Sequence, residues 1–291
     1  MRFTSTFLLL VTTGLTAAAL SGCGSAMSAD PRPQREVVEK LREKGAAGST
    51  GDSTAAVASG GTGWGHLKGV FKLAGTAPAP SKLSVEKDLQ VCGRHPIFDQ
   101  GLVVDSASGG IANVLVFARK VSREFPEYKS AAPGETLFDQ KDCVFLSHLF
   151  VLRKRDTMKI KNSDPVGHNT NMSPNGNPQL NQLIAPGDSI TYNFAQQLSA
   201  PAEAACTIHP WMRAYVMCRE DAYFAVSKSD GSFEIKNLPA GEPITFQVWH
   251  ERATGGLKAK SDWAQGRFTV TIPENGEVDL KSVDVPLTAF K

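Results

Sequence analysis

The stretch AACTIHPWMRAYVMC, residues 204–218, sets a cysteine, a histidine and a methionine three residues apart, at Cys206, His209 and Met212, and then runs into RAYVMC. In that tail Ala214 and Val216 alternate with Arg213 and Tyr215, the period of a half-buried strand. A loop between two antiparallel strands follows. It would gather a thiol, an imidazole and a thioether around one point, as a shared metal requires. A fourth donor has to come from a distant strand end, and KNSDPVGHN, residues 161–169, offers one. There Lys159 to Asn162 close a strand, a proline and a glycine bend the chain, and His168 follows. The competing reading is a plain hairpin in which Cys206 pairs with Cys218 and each histidine is a hydrogen-bonded structural residue.

Working outward, the remaining signals are strands and turns. LKGVFKL places Leu67, Phe71 and Leu73 on one side, SITYNF does the same with Ile190, Tyr192 and Phe194, and ITFQVWH and GRFTVTI alternate likewise. IANVLVFA, residues 111–118, is apolar on both faces and predicts a central, buried strand. Turn residues punctuate the chain at TAPAPS, SASGG, NSDPVG, SPNGNP, IAPGD, SDG and LPAG. No sustained helical period occurs in the body, so the fold class is all-β, of sandwich type.

The chain has 291 residues with 41% hydrophobic content, enough for two modest cores. Lysine and arginine number 31 against 29 acidic residues, and no long basic run occurs, so a nucleic-acid partner is not indicated. Arg2, the apolar run FLLLVTTGLTAAAL and then LSGC, residues 20–23, resemble a bacterial lipoprotein signal. That resemblance implies a signal peptide over 1–22 and lipidation of Cys23. Residues 23–62, rich in Gly, Ser and Ala after a short charged segment, read as a tether. The expected location is the cell envelope, facing the periplasm or the exterior, with the lipid in a membrane. Disulfides are allowed there, and Cys92, Cys143, Cys206 and Cys218 permit three complete pairings.

CTIHPWMRAYV together with GHN resembles the cupredoxins, most closely those of the amicyanin type, over residues 138–218. The resemblance implies a Greek-key β-sandwich over 137–219 holding one mononuclear copper. His168 and His209 would bind through imidazole nitrogen, Cys206 through thiolate and Met212 through a long axial bond. Asn169 and Thr207 would tie the two ligand segments together by hydrogen bonds. His209 is expected near the surface, with Pro210 and Trp211 forming an apolar patch for a transient redox partner. Zinc is the rival metal, since one thiolate with two imidazoles also suits it; Met212 favours copper. With Cys206 on the metal, a Cys92–Cys143 disulfide is expected and Cys218 is left as strand core. His148 is read as packed, and His66, His95 and His250 are given no chemistry.

YFAVSKSDGSFEIKNLPAGEPITFQVWHE resembles the carboxypeptidase regulatory-like, or transthyretin-like, β-sandwiches, and residues 66–118 imitate the earlier part of that pattern. The expected organisation is one such sandwich from 63–136 plus 220–291, with the cupredoxin segment inserted; consecutive domains are the alternative. Three functions follow: electron transfer, copper storage or delivery, and a binding module touching polysaccharide or an envelope protein. No G-x-S-x-G or H-E-x-x-H occurs, and a four-donor site leaves no open position, so an enzyme is not expected.

Overall fold

The computed structural model describes residues 61 and 63–290. The expected signal peptide, the expected lipidation site at Cys23 and nearly all of the expected tether lie outside the described residues. Among those described, no helix is long and apolar enough to cross a membrane.

The strands form four sheets. Two are built from the flanking parts of the chain. In the first, β1 (Trp64–Ala74) lies between β13 (Ser232–Pro239) and β16 (Glu277–Pro286). In the second the order is β12 (Phe224–Val226), β2 (Leu115–Ala118), β14 (Pro243–Trp249) and β15 (Arg267–Thr271). The alternation of LKGVFKL appears in β1, where Leu67, Phe71 and Leu73 are buried between exposed or half-buried neighbours. β2 and β14 are direct partners across the middle of the chain, as in Val116 with Val248, 132 positions apart.

The other two sheets draw only on the middle of the chain. One runs β4 (Val144–Phe145), β3 (Glu135–Lys141), β6 (Thr157–Asn162), β9 (Ser189–Tyr192). The other runs β5 (Leu149–Arg153), β11 (Arg213–Arg219), β10 (Ala202–Ala205), β7 (His168–Met172), β8 (Leu180–Ile184). The result is all-β.

Two hydrophobic cores result, and β2 serves both. Leu115 and Phe117 belong to the core of the middle sheets, whereas Val116 and Ala118 belong to that of the flanking sheets. Side chains alternate across a strand, so a strand walled on both sides has to be apolar at every position. Trp249 on neighbouring β14 extends this shared wall by packing edge-on against Tyr215 of β11, with ring centres 5.1 Å apart.

Candidate metal centre

Strands β10 and β11 pair antiparallel up to Ala205 with Arg213, so the seven intervening residues must reverse the chain. Two main-chain bonds tighten that reversal: the Cys206 amide donates to the Met212 carbonyl at 3.1 Å and the Met212 amide to the His209 carbonyl at 2.9 Å. β10 also pairs with β7, which begins at His168, so the His168 side chain arrives beside the loop from the neighbouring strand. His168, Cys206, His209 and Met212 are all buried. The ligand atoms of the first three lie within 4.8 Å of one another. The two imidazoles present Nδ1 to each other at 2.9 Å, and Cys206 Sγ is 3.8 Å from His209 Nδ1.

Asn169 joins the two segments. Its Oδ1 accepts from the Thr207 amide at 2.8 Å, the Thr207 hydroxyl at 3.1 Å and Cys206 Sγ at 3.3 Å. Its Nδ2 donates to Asn181 Oδ1 at 2.7 Å, which fixes the amide in this orientation.

Both Nε2 atoms point away from the cluster, each to a carboxylate. His168 Nε2 meets Asp164 Oδ2 at 2.7 Å, and the same carboxylate accepts the Asp142 and Cys143 amides at 2.7 and 2.8 Å. His209 Nε2 meets Asp88 Oδ2 at 2.7 Å, across 121 residues of sequence. Burial holds the His168 imidazole below the usual histidine range, against the opposite pull of Asp164. A neutral imidazole with a second-nitrogen partner is the form in which histidine takes a metal.

One expectation is corrected. His209 presents no edge to solvent: it is wholly buried, with Asp88 against its Nε2 and the Trp211 ring 5.1 Å from its own. Pro210 is exposed, but Trp211 is half-buried, its Nε1 donating to the Cys143 carbonyl at 3.1 Å. Both line a cavity of about 220 Å³ with Met212, Phe98, His148 and Glu251. His148 packs there with Nε2 against Glu251 and takes no part in the cluster.

Cys92 and Cys143 form a disulfide, which removes Cys143 from a second group that it makes with Asp164 and His168. Cys218 is buried within β11, and burial pushes its thiol up to about 12. Sequence reasoning missed the two carboxylates. Asp164 had a signal, standing four residues before His168; Asp88 had none.

No protein-family model matches the chain, and no curated protein matches it. Among solved structures, the chain is similar to a mutant of amicyanin in its reduced, copper(I) form, with 19% identity over 36% of this chain and 98% of that one and a TM-score of 0.27. A copper-containing nitrite reductase from Thermus scotoductus is 14% identical over 35% of this chain and 25% of its own, with a TM-score of 0.28. A purple cupredoxin from Nitrosopumilus maritimus is 16% identical over 29% of this chain and 98% of its own, with a TM-score of 0.24.

Proposed function

We propose that this chain binds one copper ion through His168, Cys206 and His209, with Met212 as a weak fourth donor, and serves as a single-electron carrier of the cell envelope. The convergence of one thiol and two inward Nδ1 atoms in a buried pocket carries the reading. Soft sulfur with imidazole suits copper or zinc rather than magnesium or calcium, and a thioether from the same loop favours copper. Copper bound there would supply one-electron chemistry by cycling between Cu(I) and Cu(II). The chain contributes a rigid frame: Asn169 holds the loop to β7, and Asp88 and Asp164 fix which nitrogen each imidazole turns inward. With four donors in place no position is left for a substrate, so no catalysis is assigned.

The reading includes a lipid anchor at Cys23 and an electron partner met in the envelope. It also treats 137–219 as a copper module inserted into a transthyretin-like sandwich, supported by the pairing of β2 with β14 across the middle segment. Copper storage is the second reading, favoured by one observation: His209, buried beneath Asp88, offers no imidazole edge to a docked redox protein.

Addition of copper(II) to the purified protein should give an intense visible thiolate-to-copper absorption, lost in Cys206→Ser. A fully metallated but colourless wild-type protein would sink the electron-transfer reading. Fast electron exchange with a small redox dye separates a carrier from a store.

A further inference from the structure

The two candidate histidines are held from outside by carboxylates on different segments, and one disulfide ties those segments together. Asp164 accepts the Cys143 amide at 2.8 Å as well as lying 2.7 Å from His168 Nε2. Asp88, 2.7 Å from His209 Nε2, takes the Cys92 amide on its own carbonyl at 2.8 Å. Cys92 is bonded to Cys143. Asp88, Cys92, Cys143 and Asp164 therefore make a continuous strap across the outer side of both imidazoles. The strap is tightly constrained: Asp88 and Cys143 both take a left-handed backbone, with φ of 49° and 55°. Such a conformation is unfavourable at a non-glycine residue and persists only where its surroundings impose it. The Trp211 indole, donating to the Cys143 carbonyl, pins the strap to the ligand loop as well.

We infer that the segment carrying Asp88 is a cap on the metal centre, and that Asp88 is a positioning residue which orients His209 and, held down by the Cys92–Cys143 bond, closes the route between the site and solvent. The inference rests on the metal-binding reading of His168, Cys206 and His209. A carboxylate behind a ligating imidazole fixes its tautomer and strengthens it as a donor, and losing such a partner typically weakens metal binding roughly ten- to a hundredfold. Here the carboxylate also forms the cover, so its loss should speed access as well as weaken binding.

The test compares the full-length protein with Asp88→Ala, Asp88→Asn and the double variant Cys92→Ser/Cys143→Ser, by two readouts. In metal-free protein the rate of iodoacetamide labelling at Cys206 is followed by mass spectrometry, with buried Cys218 as an internal reference. In copper-loaded protein the rate of copper loss to a Cu(I) chelator is followed. Asp88→Ala and the double variant should label Cys206 and release copper about tenfold faster or more, while Cys218 stays slow. Asp88→Asn, whose amide oxygen can still accept from Nε2 and keep the cover in place, should label Cys206 near the wild-type rate and release copper more slowly than Asp88→Ala. Unchanged Cys206 labelling in Asp88→Ala overturns the cap. So does equal acceleration at Cys206 and Cys218, which marks a general loosening of the fold. Absence of copper uptake in wild type overturns the metal reading itself, a result independent of labelling.

Discussion

Asn169 is the residue on which two chain segments depend, because one carbonyl oxygen serves three donors of the ligand loop. Asn169→Ala leaves the Thr207 amide and hydroxyl and the Cys206 thiol without that acceptor. A cost of about 1 to 2 kcal/mol is expected, read as a lower denaturant midpoint of the metal-free protein. His250 gives a second prediction at this scale. It is buried against the Phe290 ring, and burial drives its imidazole down to about 4; His148 and Arg252 push the same way while Glu251 pulls it up. The unfolded chain protonates this histidine below about 6.5, the folded chain only below about 4. Unfolding therefore takes up a proton between those values, and stability rises with pH across the window and is lost as pH falls through it. Its full size is about 3 kcal/mol. Denaturant titrations of His250→Gln from pH 7 to pH 4 should show a shallower loss than wild type; equal slopes would refute the assignment.

At the scale of elements, the turn by which the chain passes from β12 in one flanking sheet to β13 in the other depends on Gly231. Its φ is 82°, its carbonyl accepts the Phe71 amide at 2.9 Å, and an added methyl would strike the Phe71 carbonyl oxygen and the backbone of Gly110. Gly187, at φ 79°, has open space where its Cβ would stand. Gly187→Ala should then cost only the backbone term, about 1 kcal/mol, and Gly231→Ala about 2 kcal/mol or more. Thermal unfolding of the pair measures the difference. The sequence could show this turn because SDG is local chemistry. It could equally show the strands, since period-two burial is written into LKGVFKL and SITYNF, and the ligand loop, since Cys206, His209 and Met212 stand together. Asp88 was illegible: its partner lies 121 residues away, and an aspartate before a helical turn is commonplace. The burial of His209 was missed for the same reason, since the cover comes from a segment with no periodic signal of its own.

For the molecule as a whole, Arg219 connects the two halves. At the end of β11 it is buried, donates Nη2 to the Ala118 carbonyl at 2.7 Å and to Asp221 at 3.1 Å, and stacks over the Phe117 ring at 4.7 Å. Ala118 and Phe117 belong to β2, so one side chain reaches from the middle sheets into the flanking ones. Arg219→Ala should destabilise by about 3 kcal/mol, because the buried Ala118 carbonyl loses its charged donor, Asp221 keeps only the Tyr223 amide, and the stacking on Phe117 is lost. Arg219→Lys should not restore it, since an ammonium cannot both stack flat on Phe117 and reach two acceptors. Calorimetry should show one transition in wild type and a broadened or divided one in Arg219→Ala as the halves uncouple.

The placement of β1 bears on the order in which the chain comes together. It is synthesised ahead of every other strand described, yet its neighbours β13 and β16 begin at Ser232 and Glu277. The middle sheets need only residues 135–219, whose pairings close over shorter separations and should therefore form sooner. Throughout that interval β1, an alternating strand of 11 residues, can bond along only a short part of one edge, where Phe71 and Leu73 meet residues 109–111, and the rest stays open. Such an edge readily templates another copy of itself. A cell making this chain has to keep β1 from meeting a second β1 until the last strand has been made.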